Sequence, residues 1–193
     1  MKKVKYFPIL VSFFLFNSLS AQELSTAIAQ KAEALQNQLM QWRRYLHQNP
    51  ELGNREFKTA AYITEQLKDL GLEIKTGIAK TGVVAILKGG KPGPVIALRA
   101  DMDALPVKER VNIPYASTDS SMYGKTKVAV MHACGHDAHV AMLIGTAKVL
   151  AGMKKDIAGT IKFIFQPAEE GAPEGEEGGA ALMVKEGVMD NPK

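Results

Sequence analysis

Apolar residues recur every three or four positions from Glu23 to Leu46, where Leu24, Ile28, Ala32, Leu35, Leu39 and Trp42 would line one face of a helix. Asn49-Pro50 ends it, because the residue before a proline is pushed out of the helical region. The same spacing predicts a second helix from about Lys58 to Leu70, carrying Ala61, Ile63, Leu67 and Leu70 and stopped by Gly71. The period then changes. Strand-like runs follow at Leu72–Lys75, Gly82–Lys88 and Pro94–Ala100, with Gly89-Gly90-Lys91-Pro92-Gly93 as the turn between the last two. Val95-Ile96-Ala97-Leu98 is continuously apolar, as expected of a strand buried on both faces.

Val107 to Met131 is loop-rich and its path is not legible. Beyond it, Asp137 is placed to cap a helix over Ala138–Met153, whose Val140, Leu143, Ile144, Ala147 and Leu150 form an apolar stripe. Thr160–Phe165 is the next strand, Pro167–Gly179 a loop rich in glycine and glutamate, and Ala180–Glu186 the start of another helix. Strands alternating with helices indicate an α/β layered fold with a largely parallel or mixed sheet. Chemistry in such folds gathers beyond the carboxyl ends of strands.

The first residues do not belong to that pattern. Lys2, Lys3 and Lys5 precede an apolar run from Phe7 to Phe16, broken only by Pro8 and Ser12, and Ser18-Leu19-Ser20-Ala21 supplies small residues for cleavage. Residues 1–21 therefore read as a signal peptide, and the mature protein as secreted or periplasmic. A membrane anchor is the rival reading, but a spanning helix needs about 20 apolar residues. No stable anchor is expected after cleavage. The leader also holds three of the lysines, so the mature part carries +1 where the whole chain carries +4. No basic patch with interleaved aromatics remains, which argues against a nucleic-acid partner. The hydrophobic and charged fractions, 46% and 23%, are those of a globular protein. Cys134, the single cysteine, has no intramolecular disulfide partner and calls for a partner chain, a free thiol or a metal.

Three segments carry candidate chemistry. Arg99-Ala100-Asp101-Met102-Asp103 delivers two carboxylates from the end of a strand; a cation can offset their mutual cost, or Arg99 can serve as counter-ion in a solvated loop. His132-Ala133-Cys134-Gly135-His136-Asp137-Ala138-His139 packs three imidazoles and a thiol just before a helix. Imidazole and thiolate are preferred ligands of borderline metals, and Asp137 or a nearby carbonyl could hold the other ring nitrogen of His136. A Cys–His nucleophile pair and a plain polar helix start are the rivals. Gln166-Pro167-Ala168-Glu169-Glu170-Gly171 places two adjacent carboxylates after a strand, one able to bind a metal while the other acts as general base, unless the segment is only an acidic surface loop.

The segments RRYLHQNPELGNREFKTA, ALRADMDALP, MHACGHDAHVAMLIGTAKVL and FIFQPAEEG, in this order and spacing, resemble the aminoacylase-related metallopeptidase family. That family comprises N-acyl-L-amino acid amidohydrolases, hippurate hydrolases, related carboxypeptidases and plant auxin-conjugate hydrolases. The resemblance runs from about Leu35 to the last residue. It implies that residues 22–193 are the N-terminal part of a di-metal exopeptidase-like catalytic domain, a mixed sheet flanked by helices. It implies that Cys134, His136 and Glu170 are metal ligands, with Cys134 bridging two ions. Glu169 would be general base and later acid, and Asp103 the aspartate that orients a ligand. Asp101 stands where more distant relatives have a ligand histidine. His47 and His139 match family positions without an assigned role, and none is assigned to His132. Two divalent ions are implied, Mn or Zn ahead of Co or Ni, with a small N-acyl amino acid or peptide as substrate and a homodimer as the complete enzyme. The family has two further metal-binding histidines and an inserted lid with no counterpart in these 193 residues. An incomplete chain with little activity of its own is therefore the expectation. The alternatives are an inactive fragment and a thiol enzyme using Cys134 with a histidine.

Overall fold

The computed structural model describes residues 22–190, so the leader reading of residues 1–21 falls outside them. Residues 22–34 form a helix, α1, in a first unit that ends at Gln36. The continuous helix expected from Glu23 to Leu46 is broken at Leu35, whose N–H bonds to the Ala32 carbonyl across a tight turn (3.1 Å). Leu24 (41% exposed) and Ile28, on the expected apolar face, are exposed among the described residues. Among the described residues no helix is long and apolar enough to cross a membrane.

The second unit starts within α2 (Gln36–Gln48), which buries Trp42, Leu46 and His47. α3 (Phe57–Leu67) passes into a 3-10 turn, Lys68–Leu70, and stops at Gly71, whose φ of 68° suits a residue without a Cβ. Four strands follow in one mixed sheet: β1 (Glu73–Ile78), β2 (Gly82–Lys88), β3 (Lys91–Asp101) and, after a small hairpin and a helix, β6 (Ala158–Gln166). Their spatial order is β1-β2-β6-β3, with β3 and β6 parallel and the other pairs antiparallel. β4 (Ser120–Tyr123) and β5 (Thr126–Ala129) form the hairpin, α4 (His136–Ala151) is the long helix, and α5 (Gly179–Lys185) lies near the end.

Side chains alternate across β2 and β6, so both faces are covered. Val83, Ala85, Leu87, Phe163 and Phe165 join Trp42, Leu46, Ile63, Val140 and Ile144 in the main core. Val84, Ile86 and Ile164 face Met183 and Val188 on the other side. The two-sided burial expected of Val95–Leu98 thus belongs to β2 and β6. β3 is an edge strand, with Ile96 54% exposed and Ala97 exposed, because β6 inserts between β2 and β3. The segment from Gly89 to Gly93 accordingly joins two strands that do not pair.

The loaded loops meet beyond the carboxyl ends of the parallel pair. Asp101 is in register with Gln166, and the Met102 N–H continues the ladder to the Gln166 carbonyl (3.0 Å). Leu105 and Met131 exchange two backbone hydrogen bonds, which bring the His132–His136 segment alongside.

Candidate metal centre

α4 begins at Gly135, whose φ of 85° lets the chain turn sharply from Cys134 into His136. The Nδ1 of His136 lies 2.8 Å from the main-chain carbonyl oxygen of Asp103. A carbonyl oxygen only accepts, so Nδ1 carries the proton and Nε2 is left as the donor atom. The Asp103 carboxylate is buried; one oxygen accepts the Glu170 N–H (3.0 Å) and the other stands 3.3 Å from His136 Nδ1. Burial raises the Asp103 pKa, but the His136 contact and the N–H groups of Glu170 and Glu169 outweigh it and hold the carboxyl below its ordinary value. The same Asp103 contact pushes His136 up to about 9 against the opposing effect of burial.

This arrangement brings the expected ligands together. The ligating atoms of Cys134, His136 and Glu170 all lie within 4.8 Å of one another, with His136 buried and the other two open to solvent. A thiol, an imidazole and a carboxylate converging at this distance fit a borderline divalent ion. Glu169, 38% exposed, has its carboxylate 3.8 Å from His136 Nε2, beside the three donors and not among them. The neighbouring Glu170, together with desolvation, pushes the Cys134 thiol pKa up.

A second group, Asp101, His136 and His139, also has ligating atoms within 4.8 Å of one another. Its Asp101 is already engaged by Arg99 (3.1 Å), and His139 Nδ1 is 3.8 Å away. His47 has no free nitrogen. Its Nδ1 meets Asp137 and its Nε2 meets Glu109, both at 2.9 Å, and Arg43 donates to the same Asp137 oxygen. Asp137 therefore neither caps α4 nor holds His136; it ties the first turn of α4 to α2. The carbonyl of Asp103 takes the role that could have fallen to Asp137. His132 is 5% exposed with no hydrogen-bond partner on either nitrogen, and burial pushes it down to about 4, leaving it neutral at pH 7.

Two buried carboxylates that sequence reasoning did not single out are Glu56, bonded to the turn before Glu169, and Glu109, bonded to His47. Glu56 is fully buried, accepts from Thr81 Oγ1 (2.6 Å) and from the Ala168 N–H (2.8 Å), and has its pKa raised by burial. Glu109 lies in the stretch read as loop. Glu56 reads in sequence as an ordinary acid before a helix; only its place within the segment RRYLHQNPELGNREFKTA could have drawn attention to it.

Residues 97–193 match the family model described as peptidase family M20/M25/M40. The chain is 44% identical over 169 residues to thermostable carboxypeptidase 2 of Saccharolobus solfataricus, covering 87% of this chain and 40% of that protein. It is 45% identical over 163 residues to the N-acyl-L-amino acid amidohydrolase of Geobacillus stearothermophilus, covering 84% and 41%. Among solved structures, a dinuclear metal-binding peptidase of the M20 family from Bacillus subtilis superposes with a TM-score of 0.71 at 42% identity, covering 82% of this chain and 41% of that one. The chain spans about 40% of the length of the curated relatives it matches.

Proposed function

The chain belongs to peptidase family M20/M25/M40, and from that premise we propose that it provides metal ligands and a general base to a hydrolase of N-acyl amino acids or small peptides. The observation that carries this reading is the convergence of Cys134, His136 and Glu170 with Glu169 beside them. The relatives named for carboxypeptidase and amidohydrolase activity support the substrate class. The dinuclear neighbour supports a two-ion centre in the whole protein, to which Cys134, His136 and Glu170 would contribute ligands. The family resemblance supports Mn or Zn, with Co or Ni next, and the thiolate and imidazole among the donors suit Zn.

A divalent ion held there supplies Lewis-acid polarisation of the scissile carbonyl and acidifies water. The chain's own residues do the rest. His136 offers Nε2 because the Asp103 carbonyl fixes the tautomer. Asp103 also holds the backbone at Glu170, so one residue orients two ligands, His136 through its carbonyl and Glu170 through its carboxylate. Glu169, unligated and solvent-accessible, takes the proton of the attacking water and returns it to the departing amine. The thiol-enzyme alternative is disfavoured: a nucleophilic cysteine needs a depressed pKa, and Glu170 pushes Cys134 the other way. Pairing of two copies in the whole protein, supported by the family resemblance, belongs to this proposal. So does export behind residues 1–21, supported by their basic, apolar, small-residue order.

In the whole enzyme, Glu169→Gln should abolish turnover of hippurate and N-acetyl amino acids while metal content stays near wild type. Glu170→Ala and His136→Ala should lose metal. A Glu169→Gln enzyme with normal turnover would sink the assignment.

A further inference from the structure

The turn that leads into Glu169 and Glu170 is held in a conformation its own sequence disfavours. Ala168 has a φ of 47°, in the left-handed region. A residue with a Cβ is disfavoured there by roughly five- to thirtyfold. Returning Ala168 to negative φ would redirect the two residues that follow it, which are the site's carboxylates. The restraint comes from a segment more than a hundred residues earlier in the chain.

The Ala168 N–H donates to Glu56 Oε1 at 2.8 Å, and Thr81 Oγ1 fixes the other Glu56 oxygen at 2.6 Å. Gly53 lies flush against the same turn: a Cβ there would stand 2.6 Å from the Gly171 carbonyl oxygen and 3.1 Å from the Ala168 Cα. Further along, Asn54 Nδ2 donates to the Glu177 carbonyl (3.0 Å), which secures the far side of the loop. A fully buried carboxylate is a costly anchor unless its lone pairs are satisfied. Here the backbone N–H of the strained residue is one of its partners.

We propose that Glu56 is a positioning residue of the metal centre, clamping the strained turn at Ala168 so that Glu169 and Glu170 face Cys134 and His136. The proposal rests on the reading of Cys134, His136 and Glu170 as ligands. The hydrogen bonds of Glu56 go to Thr81 and to the Ala168 backbone, so it acts through the backbone.

The test is Co(II) titration of the chain, because a thiolate-bound Co(II) ion shows charge-transfer absorption and its d–d bands report the number of ligands. Glu56→Ala should weaken Co(II) binding about tenfold, the effect typical of losing a residue that orients a ligand. The d–d bands should shift as Glu170 drops away, while the Cys134 charge-transfer band persists. Glu56→Gln keeps an acceptor for the Ala168 N–H and should restore wild-type binding. Adding Ala168→Gly to Glu56→Ala should recover most of the loss, since glycine accepts positive φ without a clamp. Ile63→Val, in the main core, controls for lowered stability and should leave the bands in place. Should Glu56→Ala not fold, Glu56→Leu fills similar volume without an acceptor and should show the same loss. Co(II) binding by these acceptor-less variants equal to wild type, or an equal loss in Ile63→Val, would overturn the clamp alone. Absence of a thiolate band in the wild-type chain would overturn the ligand reading and the clamp with it.

Discussion

Metal affinity should climb steeply with pH through and beyond neutrality. A metal needs neutral imidazole and thiolate, so each proton held by a ligand must leave on binding. His136, hydrogen-bonded to Asp103, is pushed up to about 9. At pH 7 such an imidazole is about 99% protonated, which lowers apparent affinity about a hundredfold below its high-pH limit. An unperturbed histidine titrating near 6.5 would cost less than about twofold. Cys134, pushed up by Glu170, holds a second proton over the same range. The apparent Kd for Zn(II) should therefore fall by about two decades per pH unit between pH 7 and 8.5, one from each ligand. Competition against a chromophoric chelator gives the slope, and calorimetry in buffers of different ionisation enthalpy gives about two protons released per ion. A Kd flat across this range would refute the reasoning, because His136 would then already be neutral and Asp103 would not be holding its proton. The linked sign for stability is fixed. The raised native pKa of His136 stabilises the metal-free fold fully below pH 6.5, and that contribution is lost as pH rises through about 9. Melting temperatures of the metal-free chain should fall across that window.

His47→Ala should destabilise the fold by about 3 kcal/mol, because it takes the imidazole from the buried Glu109 carboxylate and leaves Asp137 with Arg43 alone; denaturant unfolding measures it, and a loss under about 1 kcal/mol would count against the bracketed-imidazole account. Material recovered from the medium or periplasm should begin at Ala21 or Gln22 by mass spectrometry. An intact Met1 on a soluble cytoplasmic product would contradict the export reading.

Period and punctuation made much of the fold legible. The 3-10 turn that extends α3 stops at Gly71 because glycine takes that φ cheaply, and β2 and β6 announce themselves as short apolar runs bounded by turn residues. The failures share a cause: local pattern does not say which neighbour an element meets. Val95–Leu98 is as apolar as a central strand, yet it lies at the edge because of strand order. Residues 24–34 have the spacing of a core helix and are largely exposed. The β4–β5 hairpin was hidden in a polar stretch, although Gly124 at φ 59° in a two-residue loop between short runs was a readable signal. The grouping of Cys134, His136, Glu169 and Glu170 was more legible than the fold around it, since these residues are chemically unusual and cluster in two short motifs. The residues that orient them were less so. Asp103 holds His136 through its backbone carbonyl, which any residue could offer, and Glu56 acts from more than a hundred residues away.

X-ray absorption of the Zn-loaded chain tests the central claim most directly. The account predicts one sulfur scatterer at about 2.3 Å, from Cys134, with the remaining shell of nitrogen and oxygen at about 2.0–2.2 Å. The sulfur should vanish in Cys134→Ser, and the imidazole multiple-scattering signal should vanish in His136→Ala. A first shell without sulfur in the wild-type chain, or one unchanged by both substitutions, would contradict it.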